Sequence, residues 1–145
     1  MDASIPNGDS PVEKAFNRGW NALRRGDAAE AIAAFDKALT LEEDSPLAQD
    51  ALYWQAIAYS RKKDRANAIR TFSAFVERFP AAPRRGEASV ILGWHYFDAG
   101  DFEAARRLFR SALNDVASSV RKSAQQGIDA VEAKQRNTDL PAPRR

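Results

Sequence analysis

Few side chains in this sequence could take part in a reaction, and their spacing speaks for holding another molecule instead. His95 is the only histidine and there is no cysteine. No helically spaced pair of carboxylates surrounds His95, so a surface or interhelical histidine is expected there and no metal ligand. The acidic run Glu42-Glu43-Asp44 reads as a hydrated linker. No phosphate-cradling glycine loop, nucleophile elbow or triad pattern occurs. Neither catalysis nor a cofactor is expected. What remains are groups suited to contact: Trp20 and Trp94, and the cationic runs Arg24-Arg25 and Arg61-Lys62-Lys63-x-Arg65. Tryptophan offers a large apolar area with one N–H donor, and clustered cations can grip carboxylates.

The bulk of the chain is that of an ordinary folded protein. It has 145 residues, 44% hydrophobic and 29% charged, enough for a real core. A net charge of +2 is too small an excess to argue for nucleic acid, which needs several clustered cations on one face. The lack of cysteine excludes disulfides and thiolate metal sites but leaves the redox compartment open. No apolar run approaches the ~20 residues of a membrane span, so no membrane insertion is expected. Met1 to Ser10 has neither the basic start nor the apolar stretch of a signal peptide, and exported and cytoplasmic origins both stay open.

The elements that must position the tryptophans follow from an internal repeat. Shifting the chain by 37 residues brings Gly19, Ala56 and Gly93 into register, and likewise Asp27, Asp64 and Asp101. Ala31, Ala68 and Ala105 align too, as do Phe35, Phe72 and Phe109, and Leu39, Val76 and Leu113. Each unit predicts two helices. In the third, Val90, Ile91, Leu92, Trp94, Tyr96 and Phe97 make a helix apolar nearly all round, to be sandwiched between neighbours. Gly100-Asp101 then breaks it, glycine for a left-handed helix end and aspartate to cap the next start. Phe102, Ala105, Leu108, Phe109, Ala112 and Leu113 continue at spacings of three and four. Gly26-Asp27 does the same in the first unit, and Lys63-Asp64 in the second, with lysine at some cost to the turn. The small residues predict close helix crossings, with Phe35, Phe72 or Phe109 filling the wider gap beside them.

The runs Gly19-x6-Gly26-Asp27-x3-Ala31-Ile32-x2-Phe35 and Gly93-x6-Gly100-Asp101-x3-Ala105-x3-Phe109 resemble the tetratricopeptide repeat family, over roughly Val12 to Ala117. The usual period is about 34 residues; here the links Glu42–Asp50 and Pro80–Glu87 each carry three more. The resemblance implies an all-α, right-handed superhelical stack of three hairpins with a closing helix, about seven helices in all. The repeats are placed at about 12–45, 49–82 and 84–117, with a capping helix at 119–135. A half-repeat with one polar side is what the open end of a stack needs. Residues 1–11 are expected to be a loose leader and 137–145 a loose tail, which leaves 12–136 as the repeat domain. The longer period, with Ala51-Leu52-Tyr53-Trp54 and Phe75-x3-Phe79-Pro80, also resembles bacterial cell-envelope repeat proteins of the Tol–Pal coordinator and barrel-assembly lipoprotein type. That implies a periplasmic setting, with the cytoplasm as the alternative.

The family's inner face, carried over residue by residue, implies a concave groove. It takes Phe16, Trp20, Leu23 and Arg24 from the first unit and Tyr53, Ile57 and Arg61 from the second. The third supplies Val90, Trp94, Phe97 and Asp98. Such a groove suits a peptide or helix of a partner protein. Self-association through the same apolar face is the alternative, and weak binding of an anionic partner along the basic rim is a third. The groove could also be filled by the chain's own ends, and Trp94 could pack between helices. A two-carboxylate clamp, as in chaperone-binding members of the family, is rejected: the asparagines it needs are replaced by Trp20 and Ile57.

Overall fold

The computed structural model describes residues 10–139 and divides the chain into two compact units, Met1–Ala82 and Pro83–Arg145. The first contains α1 (Pro11–Arg24), α2 (Ala28–Leu41), α3 (Pro46–Arg61) and α4 (Arg65–Arg78). The second contains α5 (Arg85–Asp98), α6 (Phe102–Ser111) and α7 (Ser118–Asp139). The described residues form these seven helices and no strand. The helices α1–α2, α3–α4 and α5–α6 are the three predicted hairpins, and α7 packs on both α5 and α6.

Each hairpin closes through the same turn. Gly26, Lys63 and Gly100 have φ of 87°, 64° and 85°, the left-handed region that helix ends favour. The following aspartate then serves both helices. Its N–H donates back to a carbonyl of the finished helix, Asp27 to Ala22 at 2.8 Å, Asp64 to Tyr59 at 3.0 Å and Asp101 to Tyr96 at 2.9 Å. Its carboxylate accepts from the third residue of the new helix, Glu30, Asn67 or Ala104. Asn67 donates from its side chain as well, at 2.7 Å. Those two bonds from Asn67, side chain first and backbone second, hold the Asp64 carboxyl below its ordinary value of 3.8.

The crossings are closed by the residues the repeat singled out. Gly19, Ala31, Ala56, Ala68, Gly93 and Ala105 are all buried. A methyl at position 19 would come within 2.7 Å of the Phe35 ring, and one at position 93 within 2.7 Å of Phe109. In the middle hairpin, where alanine stands at 56, Tyr53 meets Phe72 and Phe75 edge-on, at 6.1 and 5.5 Å between centroids. Within the first unit, Gln55 Nε2 donates 3.0 Å to the Ile32 carbonyl and ties α3 to α2.

Several boundaries differ from the sequence reading. Ser45 caps α3 and Pro46 opens it, so the second repeat starts before 49 and the extra residues of Glu42–Asp50 lengthen a helix to 16 residues. In the same way, Ser10 and Pro11 start α1 inside the expected leader; the rest of the leader, 1–9, lies outside the described residues. The helix α6 stops at Ser111, because Ala112 and Leu113 donate to Phe109 and Arg110 three residues back and tighten the turn. The last helix runs to Asp139, past the expected end at 135, and takes in the start of the expected tail; 140–145 lie outside the described residues. A further shift of 37 residues aligns Ala130 with Gly93 and so predicts Ala130 as the small crossing position of α7, but Gly127 makes the close approach: a methyl there would lie 2.5 Å from Phe109. Position 130 belongs to a crossing with a following hairpin partner, which α7 does not have among the described residues. Its close approach is to α6 instead.

Two tests follow from the turn and the crossing. Lys63→Gly removes a side chain from a left-handed position and should raise stability by about 0.5–1 kcal/mol, whereas Gly93→Ala should lower it by about 1–3 kcal/mol; urea unfolding midpoints measure both. Asp64, whose carboxyl is lowered in the folded state, contributes stability that is complete above the unfolded value and lost as pH falls through the folded one. The stability gap between the native chain and Asp64→Ala should therefore be constant near neutrality and narrow below about pH 4, as read from unfolding curves at stepped pH.

Candidate partner-binding surface

The first unit gathers its aromatic side chains where α1 and α3 run side by side. Trp20 meets Trp54 edge-on, with ring centroids 4.8 Å apart and planes at 68°. Trp54 in turn meets Tyr53 at 5.1 Å, and Phe16 leans on Phe35 at 5.6 Å. Phe16, Trp20, Trp54 and Ile57 all rest half-buried on one core cluster, anchored below and open above. At one end of this surface Arg61 Nη1 donates 3.3 Å to the Leu23 carbonyl, so its guanidinium sits at the C-terminus of α1 beside exposed Arg24. A cation there complements the helix dipole.

Three residues assigned to the inner face are core. Leu23 is 3% exposed, Tyr53 4% and Val90 7%, so each is largely covered by its neighbours. The reason is helical geometry: residues next to the small crossing positions turn toward the neighbouring helix when that crossing is close. Trp54, by contrast, stands outside that carried-over set and is half-buried. It lies on the face of Ile57 and Arg61, three and seven residues before them, and that spacing was the available signal. The basic rim is partly paired within the protein: Arg25 pairs with Glu30 and approaches Asp27 at 4.0 Å.

In the second unit Trp94 packs on Phe109 at 5.0 Å and on Phe97 at 5.3 Å, and Phe97 continues to Phe102 at 5.3 Å. Trp94 and Phe97 are half-buried and Asp98 is exposed. Trp94 therefore serves its own hairpin first, the interhelical role left open above. His95 is half-buried on the same helix. Among the described residues no three carboxylate, histidine or cysteine side chains converge as metal ligands would, and no helix is long and apolar enough to cross a membrane.

Comparison with known proteins agrees with this architecture. The chain is 28% identical over 110 residues to the photosystem I assembly protein Ycf3 of Synechococcus sp. (strain CC9605), which covers 73% of this chain. The chain spans 64% of the length of that relative. Among solved structures, the TPR domain of Sgt2 from Aspergillus fumigatus superimposes with a TM-score of 0.71 at 20% identity, over 92% of this chain and 87% of that one. A fragment of MamA from Desulfovibrio magneticus RS-1 does so with a TM-score of 0.61 at 21% identity, over 90% and 78%. At such identities these structures share the fold alone. The sequence profile named tetratricopeptide repeat matches residues 16–83 and again 55–121, more than half of the chain. With three capped hairpins crossing at Gly19, Ala56 and Gly93, this chain belongs to the tetratricopeptide repeat family.

Proposed function

We propose that this chain is a non-catalytic interaction scaffold that holds a peptide or helix of a partner protein. The observation that carries the reading is the Trp20–Trp54 pair, half-buried beside Ile57 and bounded by Arg24 and Arg61. Rings already packed against each other lose little freedom when a ligand covers them, so their apolar area converts efficiently into affinity. The indole N–H groups can bond peptide carbonyls, and the two arginines suit an acidic group on the ligand. The pair Trp94 and Phe97 offers a second aromatic surface on its own unit, with exposed Asp98 in the place that Arg61 takes in the first. Similarity to an assembly protein is in keeping with a role in holding other proteins. The resemblance of Ala51–Trp54 and Phe75–Pro80 to envelope repeat proteins points to partners in the cell envelope.

Trp20→Ala combined with Trp54→Ala should weaken partner capture from an extract of the source organism by roughly thirtyfold, about 2 kcal/mol, as for an aromatic anchor. Quantitative mass spectrometry of the captured proteins measures it, with far-UV circular dichroism to show that the helices persist. Undiminished capture by a folded double variant would sink the assignment. Self-association through the same face is the competing reading. Sedimentation velocity at rising concentration separates the two, since a strict monomer leaves no room for assembly.

A further inference from the structure

The repeat exposes a second surface, independent of the aromatic one. On α3 the side chains of Ala48, Ala51, Leu52 and Gln55 are buried, and Gln55 is bonded to the Ile32 carbonyl of α2. This is the face on which the second hairpin seats against the preceding helix. One repeat earlier the equivalent positions are Pro11, Lys14, Ala15 and Arg18 on α1; of these Pro11, Lys14 and Arg18 are exposed, and Ala15 is buried in the core cluster it shares with Ala31 and Phe35. There they form, with α2, a groove of about 250 Å³. Its floor is Ala15 with Ala33 and Ala34, side chains small enough to let another backbone come close. Its rim has changed character: alanine and glutamine have given way to Lys14 and Arg18, and Lys37 of α2 faces them across the groove. Arg18 is held by Glu30 at 3.0 Å, whereas Lys14 and Lys37 are exposed.

We infer that this groove docks an acidic amphipathic helix of a partner protein, seated as α2 is seated on α3, with carboxylates paired to Lys14 and Lys37. Small side chains below and cations on both sides select a helix with an alanine-rich stripe flanked by glutamate or aspartate. An extended strand would find no backbone edge here, because the donors of both helices are used within the helices. Nucleic acid would need a larger cationic area than two exposed lysines supply.

The probe is a blocked, side-chain-stapled 14-residue helix with an alanine and leucine stripe and two glutamates on each flank. A second peptide carries lysine at those four places. In ¹⁵N–¹H spectra of the whole chain, the glutamate peptide should shift amides of Pro11's neighbours through Arg18 and of Ala33 through Lys37, leaving the indole signals of Trp20 and Trp54 in place. By fluorescence anisotropy, Lys14→Glu with Lys37→Glu should weaken that peptide at least tenfold, and the same variant should bind the lysine peptide more tightly than the native chain does. Both substitutions are at exposed positions, and circular dichroism checks the fold. Unchanged affinity in the variant, shifts centred on the tryptophans, or tighter binding of a 12-base-pair DNA duplex than of the glutamate peptide would each overturn the inference.

Discussion

The structure depends on a phenylalanine ring lying against a backbone that has no side chain. Phe35 fills the space over Gly19, and Phe109 lies between Gly93 on one side and Gly127 on the other. A methyl in any of these places would fall inside van der Waals contact, so each pair sets how near its helices can come. The ring supplies apolar area that an alanine-rich interface would otherwise lack. Phe35, Phe72 and Phe109 are all fully buried, and the alanines at 31, 68 and 105 are covered with them. Helices held at that distance leave the connecting chain one short route, and the turn chemistry follows from it.

That turn has to satisfy the carbonyls of one helix end and the N–H groups of the next start. A single aspartate does both in each hairpin, with its N–H pointing back and its carboxylate forward. This dual role requires a left-handed residue immediately before it. Glycine meets that requirement twice without strain, and Lys63 meets it once against the preference of a side chain. Aspartate thus recurs at 27, 64 and 101 for a reason that lies in backbone bookkeeping and not in any ligand.

The same architecture yields two surfaces of opposite character on the first unit. Where α1 and α3 run parallel, side chains too large for a crossing gather at the surface, and Trp20, Trp54 and Ile57 remain half-buried. At the stacking edge the floor is made of small residues and the rim of cations, because the position that seats a neighbouring helix in one repeat is open in another. Aromatic area at the first and charge at the second call for different ligands. Both derive from one periodic pattern read at different places along it.

Much of this was legible in the residues themselves. Small, aromatic and capping positions recurring every 37 residues are local requirements of a helix crossing and a helix turn, so type and spacing suffice to find them. Site residues were less legible, because exposure is a property of what packs on the other side. The family resemblance assigns Leu23, Tyr53 and Val90 to the groove, yet neighbouring side chains largely cover them; Trp54, one turn from Ile57, is half-buried and pairs with Trp20 across a gap that no single helix reveals. Gly127 replaced Ala130 for a like reason, since α7 meets α6 rather than a partner of its own. Sequence alone determined which helices form, how each hairpin turns and where it can tighten, because those depend on side-chain size and backbone hydrogen bonds within a few residues. Which aromatic rings end up covered and which remain open was decided by tertiary packing, where contacts between helices far apart in the chain set the depth of every side chain.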